Sequence, residues 1–541
     1  MNWIDNIRNI FKINRLDSHD SDSKVVAINL NFALKHCGYF AMLPENLDLD
    51  AHIEKYPLTA YYNESSHPHP NRYFIECDGK INSNSTVGSK FDIEGLIHIL
   101  DLLNVIPARH KDLISEDGLV PINAATIRNY FKDYLCYLNY LIDTGVLVTD
   151  NHYIPGETSI GYKLAPEYAN SKLIMYNYRK YSTQNTLAVP EQRYNSDIRG
   201  FVDNQILNYL YLTHWFNQKK LVIDKQRAED YAFSLMQKKF ALGYSSWDIN
   251  RGKNNNKRKY PRTQYEAIMR NINHIAVYDY NAMIDTNVHR LHSVLTNMQK
   301  EFRNFLKYDG QQLVSFDVKN SQPFLSCILF NPDFWSENSS LPLRLNQLPD
   351  NIQQSIAETS IKSNLINFFN SLTGNEFEEY KSTVSSGRFY EAIIQRIQEE
   401  KGETLTKEDV KPISFKLFFA KNRDNVANHW LMVYFMERFP QVAEVFRIIK
   451  MEYEGVNEQK QHGRLACLLQ SIESEIILHR CCKRIWEDKN QEIPLFTIHD
   501  SIATTFEHKD YVKDLMIEVL TQCIGISPTL SEEIWHPRNL K

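Results

Sequence analysis

The chain has few of the features that point directly to a function. Its 541 residues contain eight cysteines, but these form no CxxC pair and no zinc-ligand spacing, so we expect reduced core cysteines in a cytoplasmic protein. No apolar run approaches the roughly 18 residues that a membrane span needs. A Gly-rich phosphate loop, an HExxH motif and an internal repeat are also missing from the sequence, which argues against P-loop enzymes, metalloproteases and repeat proteins.

The charge balance is nearly even, because the net charge is only −5. A surface that binds nucleic acid would therefore have to be local. Hydrophobic residues make up 43% and charged residues 23% of the chain, which is typical of a globular protein, and the length predicts two to four domains. The stretch Met1–Arg15 carries Asp5 among its apolar residues and lacks a signal-peptide layout. We expect a cytoplasmic location and no membrane partner.

The stretch Pro494–Glu507 predicts a strand, a tight turn and a second strand. Leu495–Ile498 is a short apolar run, and Ile502–Phe506 is rich in residues that favour strands. His-Asp-Ser separates the two runs and places Asp500 in the turn, while the apolar spacing after His508 predicts a helix that packs on the hairpin. An ordinary hairpin is the alternative, since turns favour Asp and Ser.

Residues 1–185 are predicted to form an N-terminal accessory module. Within them, 120–168 combine an amphipathic helix, Ile127–Ile142, with strands and a polar loop, an order that resembles a winged helix-turn-helix domain. A small α/β packing module is the alternative. Asp92 and Glu94 resemble the first motif of proofreading exonucleases, but the apolar spacing that follows is helical, so no exonuclease is expected.

Residues 186–300 are predicted to be mostly helical, with helices at Ile206–Phe216 and Ala228–Leu242. A segment with six cations and no acid, Arg251–Arg262, follows them. Its Lys257, Arg258 and Lys259 are candidates for contacts with a nucleic-acid backbone. A solvated loop is the alternative interpretation.

From residue 290 onward, the order of motifs resembles the polymerase domain of family A DNA polymerases, the polymerase I group, and the related phage-type single-subunit RNA polymerases. Arg290-Leu291-His292-Ser293 followed by Arg303 is similar to the family's Arg-Leu-Ser-Ser…Arg segment. The apolar run Leu313–Phe316 followed by Asp317 is similar to motif A. The resemblance implies that Arg290 and Arg303 contact nucleic acid and that Asp317 is a catalytic, metal-binding residue.

Motif B of this family combines a basic residue, a lysine and two aromatic residues on one helix. Lys407, Lys411, Phe415 and Phe419 stand at the matching positions, and residues at i, i+4 and i+8 share a helix face. The resemblance implies that these four side chains bind the nucleotide. Pro412 favours a first helical turn, which predicts that Lys407 lies outside the regular helix.

The last two motifs are the segment Gln470–Glu475 on a long helix and the turn His499-Asp500-Ser501. Gln470 is similar to the family's glutamine that contacts nucleic acid, and His499-Asp500 is similar to motif C. The resemblance implies a metal-binding, catalytic role for Asp500 and a nucleic-acid contact for His499. Ser501 stands where the DNA polymerases have Glu and agrees with the RNA polymerases.

Taken together, the resemblance implies an α+β right-hand polymerase with palm, fingers and thumb. Residues 186–300 would be thumb-like, and 301–541 would be the palm with fingers inserted at about 331–450. We expect a Mg²⁺-dependent DNA polymerase of replication or repair in a bacterium, phage or mobile element, without proofreading exonuclease. Its partners would be primer–template DNA and nucleoside triphosphates, and its cofactor two Mg²⁺ ions. The alternatives are a single-subunit RNA polymerase or primase-like enzyme, and an inactive DNA-binding replication protein.

Overall fold

The computed structural model describes residues 39–56, 93–109, 114–124, 127, 134–154, 159–178, 209–249, 258–280, 282–372, 374, 376–420, 422, 430–451 and 463–540. Over these residues the fold is mixed α/β, in agreement with the coarse fold class expected from the sequence. Strands are numbered below in chain order, and helices are named by their bounds.

Thirteen strands are present in the described residues, and most of them are short. Their bounds are β1 Tyr39–Pro44, β2 Val120–Pro121, β3 Leu147–Thr149, β4 Gly161–Leu164, β5 Leu173–Tyr178, β6 Leu221–Ile223, β7 Met283–Ile284, β8 Leu291–His292, β9 Leu306–Tyr308, β10 Gln311–Val318, β11 Phe496–Ile498, β12 Ser501–Thr505 and β13 Leu530–Ile534.

The α-helices of the described residues are more numerous and longer. They are Leu49–Lys55, Ile93–Arg109, Tyr134–Asp143, Pro166–Ala169, Leu210–Asn217, Lys225–Leu242, Pro261–Ala276, Val294–Asn297, Ser321–Leu325, Asp350–Ala357, Ile361–Ser371, Glu376–Ser385, Phe389–Lys401, Lys407–Phe419, Trp430–Arg438, Pro440–Ile449, Arg464–Ser474, Lys483–Asp488 and Lys509–Ile524. The helix Arg464–Ser474 continues as a π-helix, Glu475–Cys482.

Internal contacts divide the chain into two compact units. The first comprises 1–204, 222–280 and 297–305, and the second comprises 205–221, 281–296 and 306–541. The domain bounds expected from the sequence, and the assignment of palm, fingers and thumb to them, stay predictions.

The first unit contains two small antiparallel sheets and three long helices. β1 pairs with β5, while β2, β4 and β3 form a three-stranded sheet in that order. The helix Pro261–Ala276 packs against both Ile93–Arg109 and Lys225–Leu242, and Arg270 forms an ion pair with Asp101 at 3.0 Å. A buried apolar core that includes Leu100, Leu138 and Leu164 joins the small sheets to the helices.

The segment predicted as a winged helix is described in part. The helix Tyr134–Asp143 ends shortly before Gly145. Gly145 has a left-handed φ of 78°, as expected for a glycine that follows a helix C-terminus. β3 then pairs with β4 from Leu147↔Leu164 to Thr149↔Tyr162. Helix and hairpin are thus present, whereas a winged-helix arrangement stays a prediction.

The sheet of the second unit is built around β10. β11, β12, β10 and β9 follow one another in this order, and β13 pairs with β10 as well. β10 pairs antiparallel with β12, β13 and β9, and β11 pairs antiparallel with β12. The β10–β12 ladder runs from Leu313↔Thr505 to Asp317↔Ser501. The predicted strand before Asp317 and the predicted hairpin around Asp500 are therefore confirmed, and the structure shows that they are neighbours in one sheet.

Helices surround this sheet, and their apolar faces form the rest of the core. The helix Lys509–Ile524 buries Val512, Leu515, Met516 and Val519 against it, as the apolar spacing predicted. The helix Lys407–Phe419 packs against the helices Phe389–Lys401 and Arg464–Ser474. Among the described residues, every helix is too short or too polar to cross a bilayer.

Candidate active site

Two carboxylates that are far apart in sequence lie at one end of the central sheet. Asp317 is the next-to-last residue of β10, and Asp500 lies in the two-residue turn between β11 and β12. Asp317 pairs directly with Ser501 on the adjacent strand. Asp500 immediately precedes Ser501 in the chain, so it lies beside the strand position that faces Asp317. The turn places His499 at φ 56°, a left-handed conformation in which His is enriched.

These two residues line a cleft of about 890 Å³ in the second unit. Its walls are formed by Arg290, Asp317, Val318, Lys319, Asn320, Ser321, Gln322, Ser386, Gly387, Arg388, Tyr390, Glu391, Lys407, Lys411, Phe419, Gln470, Glu473, His499, Asp500 and Ser531. This set contains five basic and four acidic side chains, so the cleft contains many charges of both signs. The structure therefore brings together eight of the sequence-predicted site residues: Arg290, Asp317, Lys407, Lys411, Phe419, Gln470, His499 and Asp500.

The surroundings of Asp500 disfavour its negative charge. Burial of the carboxyl raises its pKa well above the ordinary value, and the negative charges of Asp317 and Glu473 raise that pKa further. Like charges held this close repel each other unless a cation lies between or beside them. A divalent cation would remove this repulsion, so the electrostatics of the site fit a cation-binding role.

The donor set also fits Mg²⁺. This ion is usually bound by one or two carboxylates together with substrate phosphates and water, and Asp317 and Asp500 supply two carboxylates at a cleft that is open to solvent. In the part of the chain that the structure describes, no group of three or more His, Cys, Asp or Glu side chains could hold a metal.

A third carboxylate in the cleft, Glu473, was not identified from the sequence. It lies on the helix Arg464–Ser474 with only 2% of its surface exposed. Arg290 Nη2 donates to its Oε1 at 2.6 Å, and Gln322 Nε2 donates to its Oε2 at 3.0 Å. Burial raises the pKa of Glu473, while the charge of Arg290 opposes that effect. The sequence could have indicated Glu473 through its position three residues after Gln470, because residues at this spacing share a helix face.

The wall opposite the sheet contains cations on two helices. Lys407 and Lys411 belong to the helix Lys407–Phe419, and Arg388 immediately precedes the helix Phe389–Lys401. Lys407 forms an ion pair with Glu391 at 3.1 Å and lies over the ring of Tyr390. Sequence reasoning missed Arg388 and Tyr390, because nothing in the local pattern Ser-Ser-Gly-Arg-Phe-Tyr distinguishes them.

The expectation that Lys407 lies outside the regular helix is wrong. The helix begins at Lys407 and continues through Pro412 to Phe419. Proline lacks an N–H, so the helix gives up one hydrogen bond at Pro412. The start of the helix is instead stabilised by Asp409, which accepts hydrogen bonds from the Thr406 backbone N–H and hydroxyl. Lys411 and Phe419 share the cleft-facing side; the side chain of Phe415 lies outside the described residues.

The remaining predicted nucleic-acid contacts are not part of this cleft lining. Arg303 lies on the short helix Lys300–Phe305 of the first unit. Arg258 and Lys259 line a separate pocket of that unit, where the Arg258 guanidinium donates to the Trp247 carbonyl at 2.8 Å. Lys257 lies outside the described residues. Roles for these four residues in binding nucleic acid stay predictions.

Comparison with known proteins provides little further information. No family model matches the sequence, and no curated protein matches it. Among solved structures, the chain is similar to the POL domain of Pol1 from M. smegmatis, determined in complex with DNA primer-template and dNTP. The identity is 10%, the match covers 63% of this chain and 74% of that chain, and the TM-score is 0.27. A TM-score this low does not establish a shared fold.

Proposed function

We propose that the chain is a template-directed, Mg²⁺-dependent nucleotidyltransferase of the DNA polymerase type, without proofreading exonuclease. The observation that carries the proposal is the β10–β12 pairing, which sets Asp317 beside the turn of Asp500 in a cleft with cationic walls. In this proposal the sheet is the palm, and the helices between residues 331 and 450 are the fingers. The order of sequence motifs from Arg290 to Asp500 supports the same assignment.

Each side chain of the cleft would have a distinct task in the reaction. Bound Mg²⁺ would supply Lewis acidity at the attacking and leaving oxygens. Asp317 and Asp500 would hold the metal, and Lys411 would bind the β- and γ-phosphates as a point charge. Phe419 would restrict the pose of the incoming nucleotide by contact with its base or sugar. Arg290 and Gln470 would contact the nucleic acid at the end of the growing strand.

An RNA polymerase or primase-like enzyme is the second candidate. Ser501 occupies the position after Asp500, and the cleft residues that follow Asp317, namely Lys319–Gln322, include no carboxylate. In the family's DNA enzymes, a glutamate shortly after the motif A aspartate excludes ribonucleotides. The lack of a carboxylate shortly after Asp317 therefore favours acceptance of ribose. Extension with dNTPs or NTPs, with and without a primer, distinguishes the two candidates.

The test of the proposal compares the wild-type chain with Asp317→Asn and Asp500→Asn in primer extension. We expect either substitution to reduce the rate by roughly 10²–10³-fold, because the metal would lose a carboxylate ligand. Asp309→Asn is the matched control, since this exposed aspartate lies at the other end of β10 and pairs with Lys220.

Two results would contradict the proposal. The first is an active wild type whose two aspartate variants keep their rate. The second is a wild type that is inert with every nucleotide, while the wild type and both variants bind DNA with equal affinity. This second result would favour an inactive DNA-binding replication protein.

A further inference from the structure

The buried Glu473 places a third negative charge beside the two carboxylates that would bind the metal. Its charge raises the pKa of Asp500, and the charge of Asp317 raises the pKa of Glu473. The three carboxylates therefore interact within one cleft. An ionised carboxylate this deeply buried is unfavourable unless it is paired and hydrogen-bonded, and Glu473 meets both conditions through Arg290 and Gln322.

Arg290 forms an ion pair with one of these acids, Glu473, at 2.6 Å. Its side chain is 18% exposed, lines the cleft and bonds to Glu473 through one terminal nitrogen. A guanidinium binds carboxylates through a planar fork of donors. In a cleft that also contains Asp317 and Asp500, a guanidinium without its own acidic partner would bind to either aspartate and compete with a divalent cation.

We propose that Glu473 is a positioning residue: by binding Arg290, it holds the guanidinium so that it does not compete with a divalent cation for Asp317 and Asp500. This inference rests on the proposed function. Glu473 does not itself act as a ligand, in keeping with the absence of a three-ligand metal group among the described residues.

The same helical segment provides a control. Glu475 pairs with Arg480 at 3.1 Å, so it forms a second Glu–Arg pair two residues further along. Neither Glu475 nor Arg480 lines the cleft. Glu475→Gln therefore removes one negative charge from a second, more exposed Glu–Arg pair outside the cleft.

The experiment measures Mn²⁺ binding to the full-length chain, with free Mn²⁺ followed by electron paramagnetic resonance. We expect Glu473→Gln to weaken binding about 10-fold, the size of effect seen when a residue that supports metal ligands is replaced. The double variant Glu473→Gln/Arg290→Gln should recover wild-type affinity, since the competing guanidinium is gone. Glu475→Gln should bind as the wild type does, and Asp500→Asn should lose binding.

Each outcome supports or overturns the inference. Wild-type affinity in Glu473→Gln, or a double variant as weak as the single one, would overturn it while leaving the metal site intact. A wild type that binds no Mn²⁺ would overturn the metal role in the proposed function, and this inference with it. If Glu473→Gln fails to fold, Mn²⁺ binding to Arg290→Gln tests the inference instead. Weaker Mn²⁺ binding in that variant would contradict competition between the guanidinium and the cation.

Discussion

Two lysines of the helix Lys407–Phe419, Lys407 and Lys411, line the cleft from one face of that helix. Lys407 pairs with Glu391, and both side chains are 45% exposed, so the pair contributes little to stability. Lys411 lies one turn further along and also lines the cleft. In the proposed function, its ammonium would bind the substrate phosphates as a point charge.

Lys411→Met tests this role at the residue scale. We expect the KM for the nucleotide to rise roughly 10-fold or more, because a charged hydrogen bond to phosphate contributes about 1.5–3 kcal/mol. Lys416→Met is the control, since Lys416 lies on the same helix but does not line the cleft. Steady-state kinetics with a fixed primer–template would show the difference, and an equal effect of both substitutions would argue against a phosphate contact.

At the scale of elements, the helix Lys407–Phe419 depends on a buried lysine at its C-terminal end. Lys450 Nζ donates to the carbonyls of Leu417 at 2.7 Å and Ala420 at 3.3 Å. Only 6% of Lys450 is exposed, and burial lowers its pKa to about 8. The last carbonyls of a helix have no partner within it, so this side chain satisfies groups that would otherwise be buried unpaired.

Lys450→Met should loosen the last turn of that helix. Loss of the donor leaves buried carbonyls unsatisfied at a cost of about 1–3 kcal/mol, which predicts roughly 10-fold faster amide hydrogen exchange near Phe419. Arg447→Met is a suitable comparison, because Arg447 lies one turn earlier and pairs with Glu444 at an exposed position. Unchanged protection in Lys450→Met would show that the lysine does not stabilise the helix end.

At the scale of the whole molecule, stability depends on pH through a buried ion pair of the first unit. Arg262 and Glu266 are 3% and 5% exposed, and their Nε–Oε1 distance is 2.9 Å. Burial raises the pKa of Glu266 from 4.5 to about 7, against the opposing effect of Arg262. A raised pKa in the folded state means that the contribution of Glu266 is fully present below pH 4.5 and is lost as the pH rises through 7.

Glu266→Gln removes this titration. Between pH 5 and pH 8, we expect the free energy of unfolding of the wild type to fall by roughly 2–3 kcal/mol relative to the variant. Urea unfolding at the two pH values measures the change. Glu54→Gln, at an exposed position of the helix Leu49–Lys55, should show no such change, and a pH-independent difference for Glu266→Gln would contradict the prediction.

Much of the local structure could be predicted from the sequence, because it depends on neighbours in the chain. Short apolar runs and strand-favouring residues around Asp317 and Asp500 predicted the strands and the turn, and helical apolar spacing predicted the following helix. The helix bounds near Lys407 were wrong in one respect, since the capping residues around Thr406 outweigh the preference of Pro412 for a first turn.

The sequence by itself determined which side chains could do chemistry, for residue types and spacing follow from it directly. Only the tertiary structure decided that β10 pairs with β12, and thus that Asp317 and Asp500 meet. It also decided that Glu473 lies beside them and binds Arg290. The reason is physical: strand pairing and burial arise from contacts between residues distant along the chain, and no local pattern specifies those partners.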